Sequence, residues 1–575
     1  MHVQFQPLSS EVLAQEDQVF RFAKMNRENE KGYGRPTGAQ ATDTRSNSAP
    51  RPLSVVSTIP SRMRWLVGLG AVLVIGAVSI VRAGLYYVDV DGGSNSNTGL
   101  SPDTAWKHLP GTEGQSGSGW VTFQDGDVVY VKGGTTNFVQ VKFTTSYYHG
   151  NTNFDSIQVI SGHLANPPWG SGRAVFDEAN TNTFGFWIAA GGNCNGLTID
   201  GFEVRNIAPG GVGAEFDSAR GSCCIVVGGN YTALSCKIRH CYLHDALRAT
   251  DDEGHGIETN GRTGSRDLII EYNQIGPRIG LKGIEVDRHS YGIIRNNCVT
   301  DTQEHGIVVT GQHWDIYNNV VCMVPPYNTD PTYAMKLNDG YNDVWNNILC
   351  QQDTPDPTPI NQRANGFGIF HASSSNRFYH NTIYNFANTL NGREYGAGIA
   401  IGSERGIGRN NDIQNNIVYR CRNENGGIQL FVYSAATNNT IRYNDLFYTN
   451  ATDRIIDFGN AFYLASQLNI ANAVNGLMRA NRESPPNFVE GKLPDGLDLS
   501  FHPNTDFFKL TSRSDPNLRY TMNVLKPASS NGYTDSPEKF SADILGNPRV
   551  LWSMGAYEFV GPIASPTNLR IIQVQ

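Results

Sequence analysis

HGIETNGRTGSRDLIIEYNQI (255–275), KGIEVDRHSYGIIRNNCV (282–299), HGIVVTGQHWDIYNNVV (305–321) and YAMKLNDGYNDVWNNIL (333–349) are copies of one pattern. Each has a short apolar strand beside a Gly or Ala, a polar turn, a second apolar strand, an Asn, and a third short strand. FGIFHASSSNRFYHNTI (367–383) and GGIQLFVYSAATNNTIRYNDL (426–446) continue the series, and weaker copies precede it at 186–207 and 223–243. A repeat of roughly 20 residues or more, with three strands too short to bury a face alone, is one coil of a solenoid. Stacked coils form three parallel sheets around an apolar core. The recurring Asn suits a tight bend, where it tolerates left-handed backbone and can bond the Asn of the next coil. Longer spacers around 325–332 and 352–366 are expected to project as loops that wall a groove.

The rest of the composition agrees. With 61 Gly, many Asn and only 17% charged residues, the chain reads as β-rich and turn-rich. The net charge of −8, with no basic block, argues against a nucleic-acid partner. Residues 1–62 read as a disordered polar leader. MRWLVGLGAVLVIGAVSIVRAG, from Met63, has a basic flank at Arg64, an apolar run over 65–81 and a small-residue site ending at Ala83. Residues 63–83 therefore read as a signal peptide or, alternatively, a signal anchor tethering the chain through 65–81; both imply a secreted, periplasmic or cell-surface protein. The nine Cys match no zinc module. Cys322 and Cys350 follow equivalent Asn pairs and are expected to stack, as free thiols in preference to a disulfide.

The chain resembles the right-handed parallel β-helix proteins of the pectate lyase superfamily. GLYYVDVDGGSNSNTGLSPDTAWKHL (84–109) with FQDGDVVYVKGG (123–134) is similar to the entry and N-terminal cap of bacterial β-helix polysaccharide lyases, and FSADILGNPRVLWSMGAYEFVG (540–561) to their closing segment. The implied organisation is an all-β, three-sheet right-handed β-helix: cap and first coils at 84–184, core coils at 185–450, C-terminal coils and closing segment at 451–561, and a tail at 562–575. The tail's SPTNLRIIQ (565–573) resembles the first strand of a fibronectin type III module.

Alternation along the first strand of each coil places Ile257, Ile284, Ile307 and Met335 inward, and Glu258, Glu285, Val308 and Lys336 outward as a vertical column facing solvent. A second outward column holds Asn260, Asp287, Thr310 and Asn338. Carboxylates stacked this closely repel, and a hard cation relieves the repulsion. We therefore expect a Ca²⁺ site drawn from Asp251, Asp252, Glu258, Glu285 and Asp287. His255 and His305, with Asn260 and Asn338, are candidate substrate-binding residues, although each His can equally cap its strand. Cleavage of an acidic polysaccharide by β-elimination needs a cation at the uronate carboxylate and a base for the α-proton. Lys336, Lys282, Arg288 and His289 are the candidates. The resemblance implies the same division, since in lyases of pectate lyase family nine a DDGxD-like run binds calcium and a Lys on the same sheet is the base. Here the run is DDEGHGIE (251–258). Residues 283–311 are also similar to a coil pair of alginate epimerases, with Glu285-Val286-Asp287-Arg288 in place of their Asp-Pro-His-Asp. The expected protein is a monomeric, calcium-assisted polysaccharide lyase; the alternatives are a uronan C5-epimerase, a glycoside hydrolase, or a non-catalytic glycan binder. Trp314, Tyr341, Trp345 and Phe370 are aromatics able to stack on sugar rings.

Overall fold

The computed structural model describes residues 83–481 and positions 483, 486, 545, 555 and 556, except 211–220, 249–253, 262–263, 325–331, 353–363, 371–372, 388–395, 403–405, 424–425, 449–451, 460, 475–477 and 480. The chain divides into two compact units, Met1–Ser79 and Ile80–Gln575, and the first lies outside the described residues. The leader, the apolar run at 65–81, Asp251, Asp252 and the tail also lie outside them. No helix among the described residues is long and apolar enough to cross a membrane.

One coil runs His255–Asn260, Arg266–Glu271, Gln274–Ile275, and then returns to Lys282–Asp287, which pairs in parallel with His255–Asn260. Repetition builds three sheets of 12, 15 and 11 strands among the described residues, in which neighbours from successive coils are parallel over most of their length. Parallel crossovers of this kind are right-handed, and the chain is a right-handed parallel β-helix. The inward positions stack in register: Ile257 on Ile284, Ile284 on Ile307, Ile307 on Met335, and Met335 on Phe367, all without solvent exposure. At the N-terminal end the core becomes aromatic. Tyr86 stacks on Trp106 at 5.2 Å, and Phe123, Tyr148, Phe143, Phe186, Phe176 and Phe202 follow edge to face or tilted. These large side chains fill the core at the first described coils. From the closing segment, Gly555 donates to the Asn415 carbonyl and Ala556 to Thr382 Oγ1, with Ala556 packed beside Cys322 and Cys350. The two thiols are register partners on adjacent strands, and all nine cysteines are buried and outside any disulfide.

The Asn pairs divide their work. The first residue of the pair turns the chain: Tyr272, Asn296, Asn318, Asn346 and His380 have φ of 54° to 55°. That left-handed backbone costs Asn less than most residues. The second residue forms a buried ladder through Asn273, Asn297, Asn319, Asn347, Asn381, Asn416, Asn444 and Asn481. In the ladder, Asn319 Oδ1 accepts from the backbone N and the Nδ2 of Asn297, while its own Nδ2 donates to Ile294 O and Asn347 Oδ1. A second ladder, Asn342–Asn376–Asn411–Asn439, occupies the other bend.

Two outcomes are expected. Asn319→Ala leaves several buried groups unsatisfied and lowers stability by at least about 2 kcal/mol, read from the denaturation midpoint. Glu178 is buried with only Oε2 bonded, to Asn182 Nδ2, and burial raises its carboxyl to about 7. Its folded value lies above its unfolded value near 4.5. Its favourable contribution is therefore complete below about pH 4.5 and is lost as pH rises through about 7. Glu178→Gln removes that loss, and at pH 8 the variant melts higher than the parent.

Candidate functional site

The expected columns are present. Glu258 pairs with Glu285, Glu285 with Val308, and Val308 with Lys336; alongside them, Asn260 pairs with Asp287 and Asp287 with Thr310. Asn338 continues the second column by donating to Thr310 Oγ1 at 3.1 Å. The expectation of solvent exposure is corrected: Glu258 is 0% and Glu285 6% exposed. The flanking coils are apolar at the same face. N-terminal to the acids, the same outer face carries a buried apolar cluster of Phe184, Trp187, Ala190, Cys223 and Val226; C-terminal to them lies another, with Tyr333, Phe370, Ala400 and Phe431. The acids are a polar island between two apolar patches. Lys282, Glu304, Thr310, Lys336 and Asn338, all partly exposed, form its accessible rim.

A third outward column had no counterpart in strict alternation. Cys223 pairs with His255, Lys282 with His305, and His305 with Tyr333. These residues share the outer face with the glutamates because each strand takes two consecutive inward steps. Cys224 and Ile225, like Ala334 and Met335, are adjacent core residues. In the intervening coils the first inward slot is glycine: a β-carbon on Gly256 would collide with Ile275, on Gly283 with Val299, and on Gly306 with Val321. The recurring small residue before the apolar strand was the available signal. It marks a slot without room for a larger side chain, and the residue before it consequently points out.

His255 therefore stands between two carboxylates, with Nδ1 3.4 Å from Glu285 Oε2 and Nε2 4.0 Å from Glu258 Oε2. Lys282 Nζ donates to both Glu285 oxygens at 3.0 Å. Burial pulls the Lys282 ammonium down, but Glu285, Glu304 and Glu258 more than offset it and hold the group above the usual lysine value. One coil on, His305 Nδ1 accepts from Tyr333 N at 3.1 Å, and its Nε2 faces Glu304 Oε1 at 3.4 Å. Burial, then Lys336 and Lys282, hold His305 well below the usual histidine value, so it is a neutral imidazole. Lys336 Nζ lies over the rings of Tyr333 and Phe370, at 5.5 and 5.6 Å.

The other expected residues fall elsewhere. Asp287 Oδ2 faces Arg288 Nε at 3.6 Å, with Arg288 exposed at the turn. His289 is fully buried in that turn beside Gly261, and burial pushes it down to about 4; its carbonyl accepts from Trp314 Nε1. Of the four aromatics, Trp314 is in the core, and Trp345 and Phe370 are buried against Tyr317 and Tyr333. Tyr341 alone of the four is exposed, at 39%, stacked on His313.

His255, Glu258 and Glu285 each offer one donor atom, all within 4.8 Å of one another. Ca²⁺ takes six to eight oxygen ligands. Of the five carboxylates expected for it, the described residues bring only Glu258 and Glu285 into one group, and the third donor is an imidazole nitrogen. This set suits a borderline divalent ion better than a hard one.

No protein-family model matches the chain, and no curated protein matches it. Among solved structures, the chain is similar to pectate lyase Pel9A (14% identity, 83% of this chain and 96% of that one, TM-score 0.34). It is also similar to XylC in complex with xylose (10% identity, 82% and 98%, TM-score 0.39) and to DFA-IIIase from Arthrobacter chlorophenolicus A6 (12% identity, 62% and 87%, TM-score 0.34). Likenesses of this size do not bear on what the chain does.

Gly283→Ala tests the double inward step. The added methyl meets Val299 and the Gly306 carbonyl, and the expected cost is about 1–3 kcal/mol of overpacking, measured as a fall in melting temperature.

Proposed function

We propose that the protein is an exported, carbohydrate-active enzyme that cleaves an acidic polysaccharide by β-elimination at the rim of the polar island. One observation carries this reading: charged side chains are buried on the outside of a solenoid that does not need them there. The same column holds Val226, Val308 and Phe431 in other coils, so the fold accepts apolar residues at these positions. Burying ionised groups costs several kcal/mol each before pairing. Such a cost points to a chemical task.

Abstraction of the proton α to a uronate carboxylate requires that the carboxylate be stabilised as it gains enolate character. Lys282, ion-paired and partly exposed, is the proposed cation for it. Lys336, in the glutamate column two coils beyond Glu285 and about 10 Å along the axis, is the proposed base. His305 lies between them with its Nε2–H toward Glu304, and orients that carboxylate at the rim. Calcium held by the acids of 251–287 stays a proposal of this reading, and no step here depends on it.

The test is a screen of pectate, alginate and glycosaminoglycans for the ultraviolet absorbance of an unsaturated uronate, with and without chelator. The expected result is absorbance with one of these polymers, and a loss of at least about 100-fold in Lys336→Ala at unchanged melting temperature. Altered uronate stereochemistry without absorbance would show an epimerase instead. New reducing ends without absorbance would assign hydrolysis instead. Binding without turnover of any of these polymers would leave a glycan-binding protein.

A further inference from the structure

We propose that His255, Glu258 and Glu285 bind a borderline divalent transition cation of the Zn²⁺ class, with Lys282 as its outer-shell partner. The site shares the face of the proposed active centre and rests on that reading for its purpose, though not for its existence.

Geometry comes first. Around a tetrahedral ion about 2.0–2.2 Å from each donor, the donors stand about 3.3–3.6 Å apart. The three donors already lie within 4.8 Å, so side-chain movement of up to about 1 Å closes the site. The ligands come from two consecutive strands in register, Glu258 opposite Glu285, with His255 three residues before Glu258 on the same face. Ligands carried by paired strands are better fixed than ligands on loops. All three side chains are buried, which excludes most of the competing water.

The chemistry of the donors selects the ion. One imidazole and two carboxylates match borderline metals, whereas an all-oxygen shell matches Ca²⁺. Lys282 does not block the site. An ionised carboxylate has about four lone-pair positions, and Lys282 uses one on each Glu285 oxygen. A ligating carboxylate that is also hydrogen-bonded is the usual outer-shell arrangement. The neighbouring coils lack the set: Cys223 and Val226 stand in the preceding coil, and in the following coil His305 faces Val308, with its Nδ1 already accepting from Tyr333 N.

The experiment is calorimetric titration of the chelator-stripped full chain with Zn²⁺, Co²⁺ and Ca²⁺, with the visible spectrum of the Co²⁺ form as a second readout. The expected result is one equivalent of Zn²⁺ and of Co²⁺, each bound at least about tenfold more tightly than Ca²⁺. His255→Ala and the near-isosteric Glu258→Gln should each weaken Zn²⁺ binding at least tenfold and change the Co²⁺ spectrum, while Asp287→Asn binds as the parent. Melting curves without metal identify any variant that fails to fold, and Glu258→Gln is the arm least exposed to that failure. The proposal is overturned by no stoichiometric Zn²⁺ or Co²⁺, by tighter Ca²⁺, or by parental binding in folded Glu258→Gln. Inactivity on every uronan would remove the lyase reading and leave the binding result standing; activity without Zn²⁺ binding would do the reverse.

Discussion

Every outward column in this protein depends on successive coils keeping one register, and the buried Asn ladders impose it. Each ladder amide accepts from the preceding coil's backbone and side chain and donates to the next. A slip by one residue would leave these buried groups without partners and turn each strand's core residues outward. The ladders are the structural reason that Glu258 meets Glu285 and that Val308 meets Lys336.

On that scaffold the outer face of the first sheet is divided by chemistry. Two buried apolar clusters flank a short polar segment in which carboxylates, ammonium groups and imidazoles meet. Low polarity around such a segment strengthens each electrostatic interaction within it and raises the cost of any group left uncompensated. This accounts for the two histidines' different settings. His305 is fixed by a backbone N–H and stays neutral between two lysines, whereas His255 lies between two carboxylates. Equivalent positions two coils apart, with Lys282 between them, thus hold the same residue type in opposite electrostatic surroundings.

The remaining polar clusters fit a structural account. Asp200 pairs with Arg239 and His240, Asp177 with Arg205, and Glu271 with Arg295. Each joins a carboxylate to an arginine one coil away, in keeping with ladder stabilisation on the outer faces of the second and third sheets. Neither sheet brings a group of metal donors together among the described residues. Buried charge on the 15-stranded sheet, such as Asp343 with Arg377, is paired carboxylate to guanidinium, whereas the first sheet adds imidazoles to its carboxylates.

The coil pattern, the three-sheet solenoid, the inward Ile257–Ile284–Ile307–Met335 stack and the Glu258–Glu285–Val308–Lys336 column were all legible in the sequence, because a period-two alternation repeated at each coil determines them locally. Three things were not. Burial of the column depends on chain outside its own strands, which strand alternation cannot report. The place of His255 among the glutamates depends on the double inward step at Gly256, a departure from alternation forced by packing against Ile275. The separation of Arg288 and His289 from Glu285 depends on the turn into the second sheet, which carries their side chains into a different environment, while Asp287 stays in the neighbouring column. Sequence by itself determined which residues share a strand and a face; the tertiary structure decided which of them meet and how far from water they do so, because distance and burial are set by neighbours remote in the chain.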